Sequence, residues 1–491
     1  MIEMRDSRPA RSLRGSSVAG ALLLGLLAFV WTANSSGLIS SNDGSHLALA
    51  RALALRGEAS IDLDRALTLE VDLAERGGRA YSDRPPGTAF AALPAVWIGD
   101  RLDPLMHERA IEQARSGRKV KPLPGARPYI ATYAARVGRG STGPRLVGLI
   151  GTSIAISIHA VLVALLGMVF VDRILRRLTS VDASARLFAL TCLGLATAWG
   201  PYATALFSHV SAATAVAGLL LGIVELERRR GQASKVGLAG IAALTGLAGA
   251  WAIACDYLLI LAVIPAVALS IDWRRWPAML LGAAPIVLAT LAYHTAAFGS
   301  PFALGYDHQS NFAFARERST TFSGNLFDGL WTLWGLGRDA GLLAQAPIVL
   351  VGIGALVGFG WSRRGWSRRA QSGGRDPVAT MARSWLGFLP WILALALHRT
   401  PWGGGTGDHR YLIPMLPFAA IGLGLAWARA SPALRVVMAT LTLASTCLVW
   451  THFLEWHEVG PFERPGLAAL VAGPISIILI AAVLVRFARR P

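Results

Sequence analysis

The chain has 491 residues, 54% of them hydrophobic and 15% charged, with a mean hydropathy of +0.49. A soluble protein of this length carries about a quarter charged residues, so this composition excludes a soluble globular fold and requires that apolar side chains face lipid. The net charge of +18 does not mark a nucleic-acid binder, because its basic residues are spread among short segments between apolar runs instead of gathered on one soluble face.

The apolar runs, each near the ~20 residues that a bilayer-crossing helix needs, predict an all-α polytopic bundle of about twelve transmembrane helices. The first, Val18 to Leu38, follows Arg5, Arg8, Arg11 and Arg14 and is read as an uncleaved anchor. The others run from Arg145 to Val171, Leu187 to Pro201, Val210 to Val224, Val236 to Ile253, Tyr257 to Ile271, Pro277 to Ala297, Pro347 to Trp361, Trp385 to His398, Tyr411 to Ala428, Val436 to Phe453 and Gly466 to Val485. Arginines fall on one set of alternate connections: Arg173, Arg176 and Arg177, then Arg228 to Arg230, Arg274 and Arg275, the cluster from Arg363 to Arg375, and Arg486, Arg489 and Arg490. By the positive-inside rule these are cytoplasmic, which puts both termini in the cytoplasm of a bacterial inner-membrane protein. Cys192, Cys255 and Cys447 lie in or beside apolar runs and predict buried packing, not disulfides.

The whole chain is expected to form one membrane domain: a first helix (17–38), a long outer loop (39–144), helices two to seven (145–297), a second outer loop (298–346) and helices eight to twelve (347–491). Function is sought in the two long outer loops, because sites concentrate on loops held by a rigid scaffold. The charged stretch from Asp100 to Arg139, broken by the Pro-Gly segment Lys121 to Pro128, reads as a mobile insertion. Ser41 to Gly57 reads as a short helix closed by glycine and lying on the outer membrane surface, with Asp43 at its head. Asp and Ser before a helix are also preferred N-caps, a reading open to Asp43 and to Ser45. Tyr81 to Gly87 (YSDRPPG) places Asp83 and Arg84 before two stiffening prolines and reads equally as a turn with a solvated charge pair. Thr88 to Trp97 is apolar but too short to cross. His398 to Tyr411 (HRTPWGGGTGDHRY) combines three glycines that permit close backbone approach with Asp408, His409 and Arg410; interfacial anchoring by Trp402, Arg410 and Tyr411 is the competing account. His209 in LFSHV reads as a core or interfacial histidine.

In order, SSNDGSHLALARAL, the Asp83-Arg84-Pro85-Pro86 motif, FGSPFALGY, GRDAGLLAQAP and WGGGTGDHRYLIPMLP resemble segments of the GT-C superfamily of membrane glycosyltransferases. The family in view is that of the protein O-mannosyltransferases and the aminoarabinose transferases acting on lipid A. The resemblance covers most of the chain. It departs where the family usually has Lys in place of Arg84, often Glu in place of Asp83, and often a second carboxylate where Asn42 stands. The resemblance implies a GT-C-like bundle with juxtamembrane helices in the first outer loop. It also implies transfer of a hexose or pentose from a polyprenyl-phosphate donor to a hydroxyl acceptor (lipid, glycan or protein) on the outer face. Asp43 would then be the catalytic base in an inverting displacement, and Arg84, Arg410 and Arg338 would bind the donor phosphate. Tyr81, Asp83, Tyr306, His308, Asp408 and His409 would position substrate. No spacing specifies a metal site, and a divalent metal stays open. The alternatives are a secondary transporter or lipid flippase of an envelope precursor, against which few ionisable groups fall within the apolar runs, and a catalytically silent partner in an envelope complex.

Overall fold

The computed structural model describes residues 10–33, 38, 40–115, 149–178, 180–229, 234–337, 341–361, 376–403 and 408–456. Its longer helices are α1 (Ala10–Ala33), α2 (Ser41–Arg56), α3 (Gly87–Arg115), α4 (Ile150–Arg177), α5 (Ala183–Leu195), α6 (Ser208–Arg228), α7 (Lys235–Cys255), α8 (Ile260–Ser270), α9 (Trp276–Phe298), α10 (Leu326–Trp334), α11 (Pro347–Trp361), α12 (Pro377–Leu386), α13 (Leu389–Leu397), α14 (Leu416–Arg429) and α15 (Pro432–Trp456). Among the described residues seven helical segments are long and apolar enough to cross a membrane, and four shorter apolar helices accompany them. They coincide with the first eleven apolar runs; the twelfth, Gly466 to Val485, lies outside the described residues.

Burial separates helices that face protein from helices that face lipid. The span built on α9 leaves Leu280, Leu281 and Leu288 exposed, an apolar face that water does not tolerate but acyl chains do, whereas α6 and α14 are enclosed by other helices. Small residues set the closest crossings: a Cβ on Gly246 of α7 would fall 1.9 Å from the Met279 carbonyl oxygen, and one on Gly282 of α9 would fall 1.9 Å from that of Ala243. Without a hydrophobic force between helices in lipid, such close backbone approach supplies the packing.

A second apolar core sits at one end of the bundle, built from the first loop. Leu47 and Leu49 of α2 join Ile61, Leu67, Leu73 and Tyr81, and this cluster meets Tyr293 and Phe298 at the end of α9. The helix α2 is therefore sunk into protein: Leu47, Ala48, Leu49 and Ala50 are fully buried. Its C-terminus is as expected, with Gly57 left-handed at φ 69°. Its N-cap is Ser40, whose hydroxyl receives the Asn42 N–H. Asp43 sits at the third helical position and completes a capping box by accepting from the Ser40 N–H at 2.8 Å.

After a 3₁₀ turn (Asp62–Thr68) comes a short hairpin, β1 (Ala74–Arg76) with β2 (Arg79–Tyr81), turned through Gly77 and Gly78 at positive φ. The apolar stretch from Thr88 to Trp97 and the first part of the charged stretch, to Arg115, form the single helix α3, with Asp103 bonding the Thr152 N–H at 2.8 Å and hydroxyl at 2.6 Å. The expectation of a mobile insertion is thus corrected as far as Arg115, and its remainder, with Lys121 to Pro128, lies outside the described residues. The described cysteines are unbridged; Cys192 and Cys255 are buried, but Cys447 is exposed.

Candidate active site

The YSDRPPG motif leaves β2 and turns into α3, and this turn is buried. Asp83 is 1% exposed, so the account of a solvated charge pair fails. Arg84 forms an ion pair with Asp72 and lies 3.3 Å from Asp83. Asp72 also accepts from Ser41 at the start of α2, at 2.5 Å. Ser45, one turn into α2, pairs with Ser82 at 2.8 Å and reaches Asp83 at 3.5 Å. One guanidinium thus holds two carboxylates, and α2 is clasped to the turn by two serines. Asp72 follows Leu69 and Glu70, both left-handed at φ 53° and 60°, a conformation that side chains other than glycine rarely adopt.

The second long connection is stitched onto this turn. Gln309, 1% exposed, donates to the Val71 carbonyl at 3.1 Å and to Asp83 at 3.3 Å. The Ser310 N–H donates to the Leu73 carbonyl, and the Asn311 amide to that of Glu70. Gly305 carries the same contact: a Cβ there would fall 2.8 Å from the Asp83 carbonyl oxygen, so the Asp83 backbone occupies the space that any other residue would fill. Tyr306 then comes within the field of Arg84 and Asp83, its hydroxyl pushed well above the ordinary range chiefly by burial, and packs edge-on against Tyr257 at 6.3 Å.

The third segment is the connection before α14. The Asp408 carboxylate accepts from the Tyr202 hydroxyl and from the Arg410 N–H, and lies 3.6 Å from the Arg410 guanidinium. Arg410 also donates to the Gly403 carbonyl; Gly403 is left-handed at φ +87°, and a Cβ there would fall 2.8 Å from the guanidinium carbon. His409 bonds Gln345 at 2.8 Å. His209, at the head of α6, packs its ring at a tilt 6.1 Å from that of Tyr202 and 5.6 Å from that of Tyr411, and Arg410, Arg84 and His46 all bear on it electrostatically. The charges of Arg84 and Arg410 therefore meet across His209 and Tyr411.

Of the residues singled out from sequence, the structure brings Asp43, Asp83, Arg84, Tyr306, Asp408, His409 and Arg410 to this end of the bundle. It places Tyr81 and His308 on Phe298, at ring separations of 5.6 and 5.2 Å, with His308 stacked face to face. Arg338 lies outside the described residues. Asp72, Gln309, Tyr202 and His46 escaped sequence reasoning. Asp72 sits in an unremarkable run, LEVDLAER, and Gln309 is the neighbour of a histidine that drew the eye. Among the described residues no three His, Cys, Asp or Glu side chains converge as a metal ion requires, so no metal-dependent step is derived. A separate apolar cavity of about 340 Å³, lined by Leu330, Trp334, Trp385, Leu389, Ile392 and Leu393, opens between α10 and α13.

Burial is the main cause that pushes the Asp83 carboxyl up, to about 6; Asp72 adds to the rise and Arg84 opposes it. Its proton is lost near 3.8 when the chain is unfolded and near 6 when folded. The native state therefore holds the extra proton between these values, and the Asp83 contribution to stability falls as pH rises through that window. In thermal unfolding in detergent from pH 4 to pH 7, the stability of the wild type relative to Asp83→Asn is expected to fall as pH rises.

The described residues thus form a bundle of apolar helices with a separately cored loop layer over one end, carrying buried carboxylate and guanidinium groups. No protein family and no curated protein matches the sequence. Solved structures do match: the fold is that of ArnT from Cupriavidus metallidurans. The apo form superposes with a TM-score of 0.51 at 16% identity, over 87% of this chain and 62% of that one. The form bound to undecaprenyl phosphate superposes with a TM-score of 0.51 at 15% identity, over 96% and 74% respectively. This chain thus spans less than two thirds of the length of the apo structure's chain.

Proposed function

We propose that this protein is a membrane glycosyltransferase that moves a sugar from a polyprenyl-phosphate donor to a hydroxyl acceptor on the outer face of the inner membrane, with inversion at the anomeric carbon. The observation that carries the reading is the meeting of Asp43, the Asp83-Arg84 turn and the Asp408-Arg410 turn at one end of the bundle. The fold likeness to a protein captured with undecaprenyl phosphate supports a polyprenyl-phosphate ligand. The apolar cavity between α10 and α13 suits a prenyl chain.

In this reading the acceptor oxygen attacks the anomeric carbon while Asp43 takes its proton, and the bond from that carbon to the phosphate oxygen breaks with its electron pair leaving on phosphate. The leaving group is a stable anion, so no acid is needed on that side, in contrast to glycoside hydrolysis with its acid and base carboxylates. The cations would stabilise the charge developing there. Arg410 is the better placed donor: it is paired with one carboxylate, Asp408, and keeps Nε and Nη1 without a hydrogen bond, whereas Arg84 is paired with two, Asp72 and Asp83, and keeps only Nε so. Arg84 would first orient the carboxylates and bind phosphate only on exchanging one of them.

The test is transfer by the purified protein in nanodiscs, offered a panel of radiolabelled polyprenyl-phosphate hexoses and pentoses with membrane extract as acceptor. Time-dependent label in a new product is expected for at least one donor. A folded protein that binds these lipids and consumes none would sink the enzymatic reading in favour of a flippase or a silent partner.

A further inference from the structure

His46 is a buried polar group that this chemistry leaves unused. The imidazole of His46 is fully buried and neither of its nitrogens has a hydrogen-bond partner. An unpaired buried polar group costs about 1–3 kcal/mol, so its persistence calls for a reason. It lies three residues beyond Asp43, on the same face of α2. The Arg84 guanidinium is the charge that bears on it, and His209 of α6, whose Nδ1 also lacks a partner, is its other titratable neighbour. Of the other charged groups described on the elements packed against α2, Asp62 pairs with Arg79, Asp64 with Arg51 and Arg56, Arg65 with Glu70 and Glu75, Asp103 bonds Thr152, Arg101 lies over the Trp97 ring, and Asp100 is half-buried on α3.

The charge balance of the site gives the reason. Among the described residues, Asp72 and Asp83 pair with Arg84 and Asp408 with Arg410, three carboxylates to two guanidiniums, and Asp43 adds a fourth carboxylate at the head of α2. A phosphodiester donor carries one negative charge, but the monoester it leaves behind approaches two above a second pKa of about 6. Transfer therefore adds a negative charge where the fixed charges already sum to a negative value.

We propose that His46 is a ligand of the phosphate monoester that transfer leaves behind, and gains a proton as that monoester forms. The proposal rests on the glycosyltransferase reading above. The acceptor proton passes to Asp43 and on to water, and one proton from water reaches His46, so transfer and protonation balance with no further reactant. Burial and then the Arg84 charge hold His46 down to about 3, which keeps it neutral. A dianion against the ring favours the charged form, so product binding takes up a proton and weakens as pH rises.

The experiment is calorimetric titration of wild-type protein and His46→Gln in nanodiscs with two probes, undecaprenyl phosphate and its methyl phosphodiester. It is run from pH 6.5 to 8.5 in buffers of differing ionisation enthalpy, so that proton uptake is read directly. The wild type is expected to take up more protons with the monoester than with the diester. His46→Gln is expected to lose that excess, and to bind the monoester about tenfold more weakly at pH 7.5 while the diester changes less than twofold. Equal uptake by wild type and variant would overturn the His46 proposal alone; failure of the wild type to bind either lipid would instead overturn the donor-site reading. Should the variant fail to fold, the wild-type comparison of the two lipids still decides, because equal uptake with both leaves His46 no role.

Discussion

Asp43→Asn is expected to lower sugar transfer by about 10²–10⁴-fold, the range that a positioned general base contributes, while the protein stays folded. Asp43 has two duties and the substitution separates them. Its Oδ1 accepts the N–H and the hydroxyl of Ser40, which holds the first turn of α2. An asparagine oxygen accepts the same bonds, so the cap costs at most about 1 kcal/mol. Rate loss with an unchanged unfolding temperature, measured by initial rate and by thermal unfolding in detergent, identifies the base. Retained transfer at wild-type rate would reduce Asp43 to its capping role.

Arg84→Gln is expected to have the largest effect on stability. The substitution removes the cation from Asp72 and Asp83, whose side chains are 7% and 2% exposed, and breaking a buried pair in this way costs about 3–5 kcal/mol. Most of that cost is the charge left behind. The double variant Asp72→Asn with Arg84→Gln is therefore expected to recover part of the loss, though it departs from the wild type at one more position than the single variant. Acid is expected to narrow the gap as well, because Asp83, already raised to about 6, then sheds its charge by protonation. Unfolding temperatures of the three proteins at pH 5 and pH 7.5 check both statements; a double variant no more stable than the single one would show that Arg84 acts through packing.

The helices were legible because their signal is local. Runs such as Val210 to Val224 and Pro347 to Trp361 announce themselves by composition, and α6 and α11 stand over them. The head of α2 was half legible: both accounts of Asp43 required an oxygen near the helix start, but the N-cap proved to be Ser40, because the capping box uses a carboxylate at the third helical position. The partners of Arg84 were not legible. Asp72 and Gln309 lie 12 and 226 residues from the residues they bond, and no periodicity or spacing encodes a contact of that kind. A proline-stiffened Asp-Arg pair looks the same in sequence whether it faces solvent or a buried glutamine. His46 was missed for a related reason, since an isolated histidine in an alanine- and leucine-rich helix reads as packing until its two bare nitrogens are seen.

The long reach of these bonds bears on biosynthesis. A chain emerging from the ribosome commits its first part to the membrane before the later helices exist. When Asp83 and Arg84 are delivered, the glutamine that covers them is 226 residues from being made, and Arg410 is later still. The carboxylates of the first loop must therefore wait in a half-built bundle, so a nascent chain stalled before residue 309 lacks the cover of its own centre. The buried centre is complete only once the chain from Gln309 to Arg410 has been made.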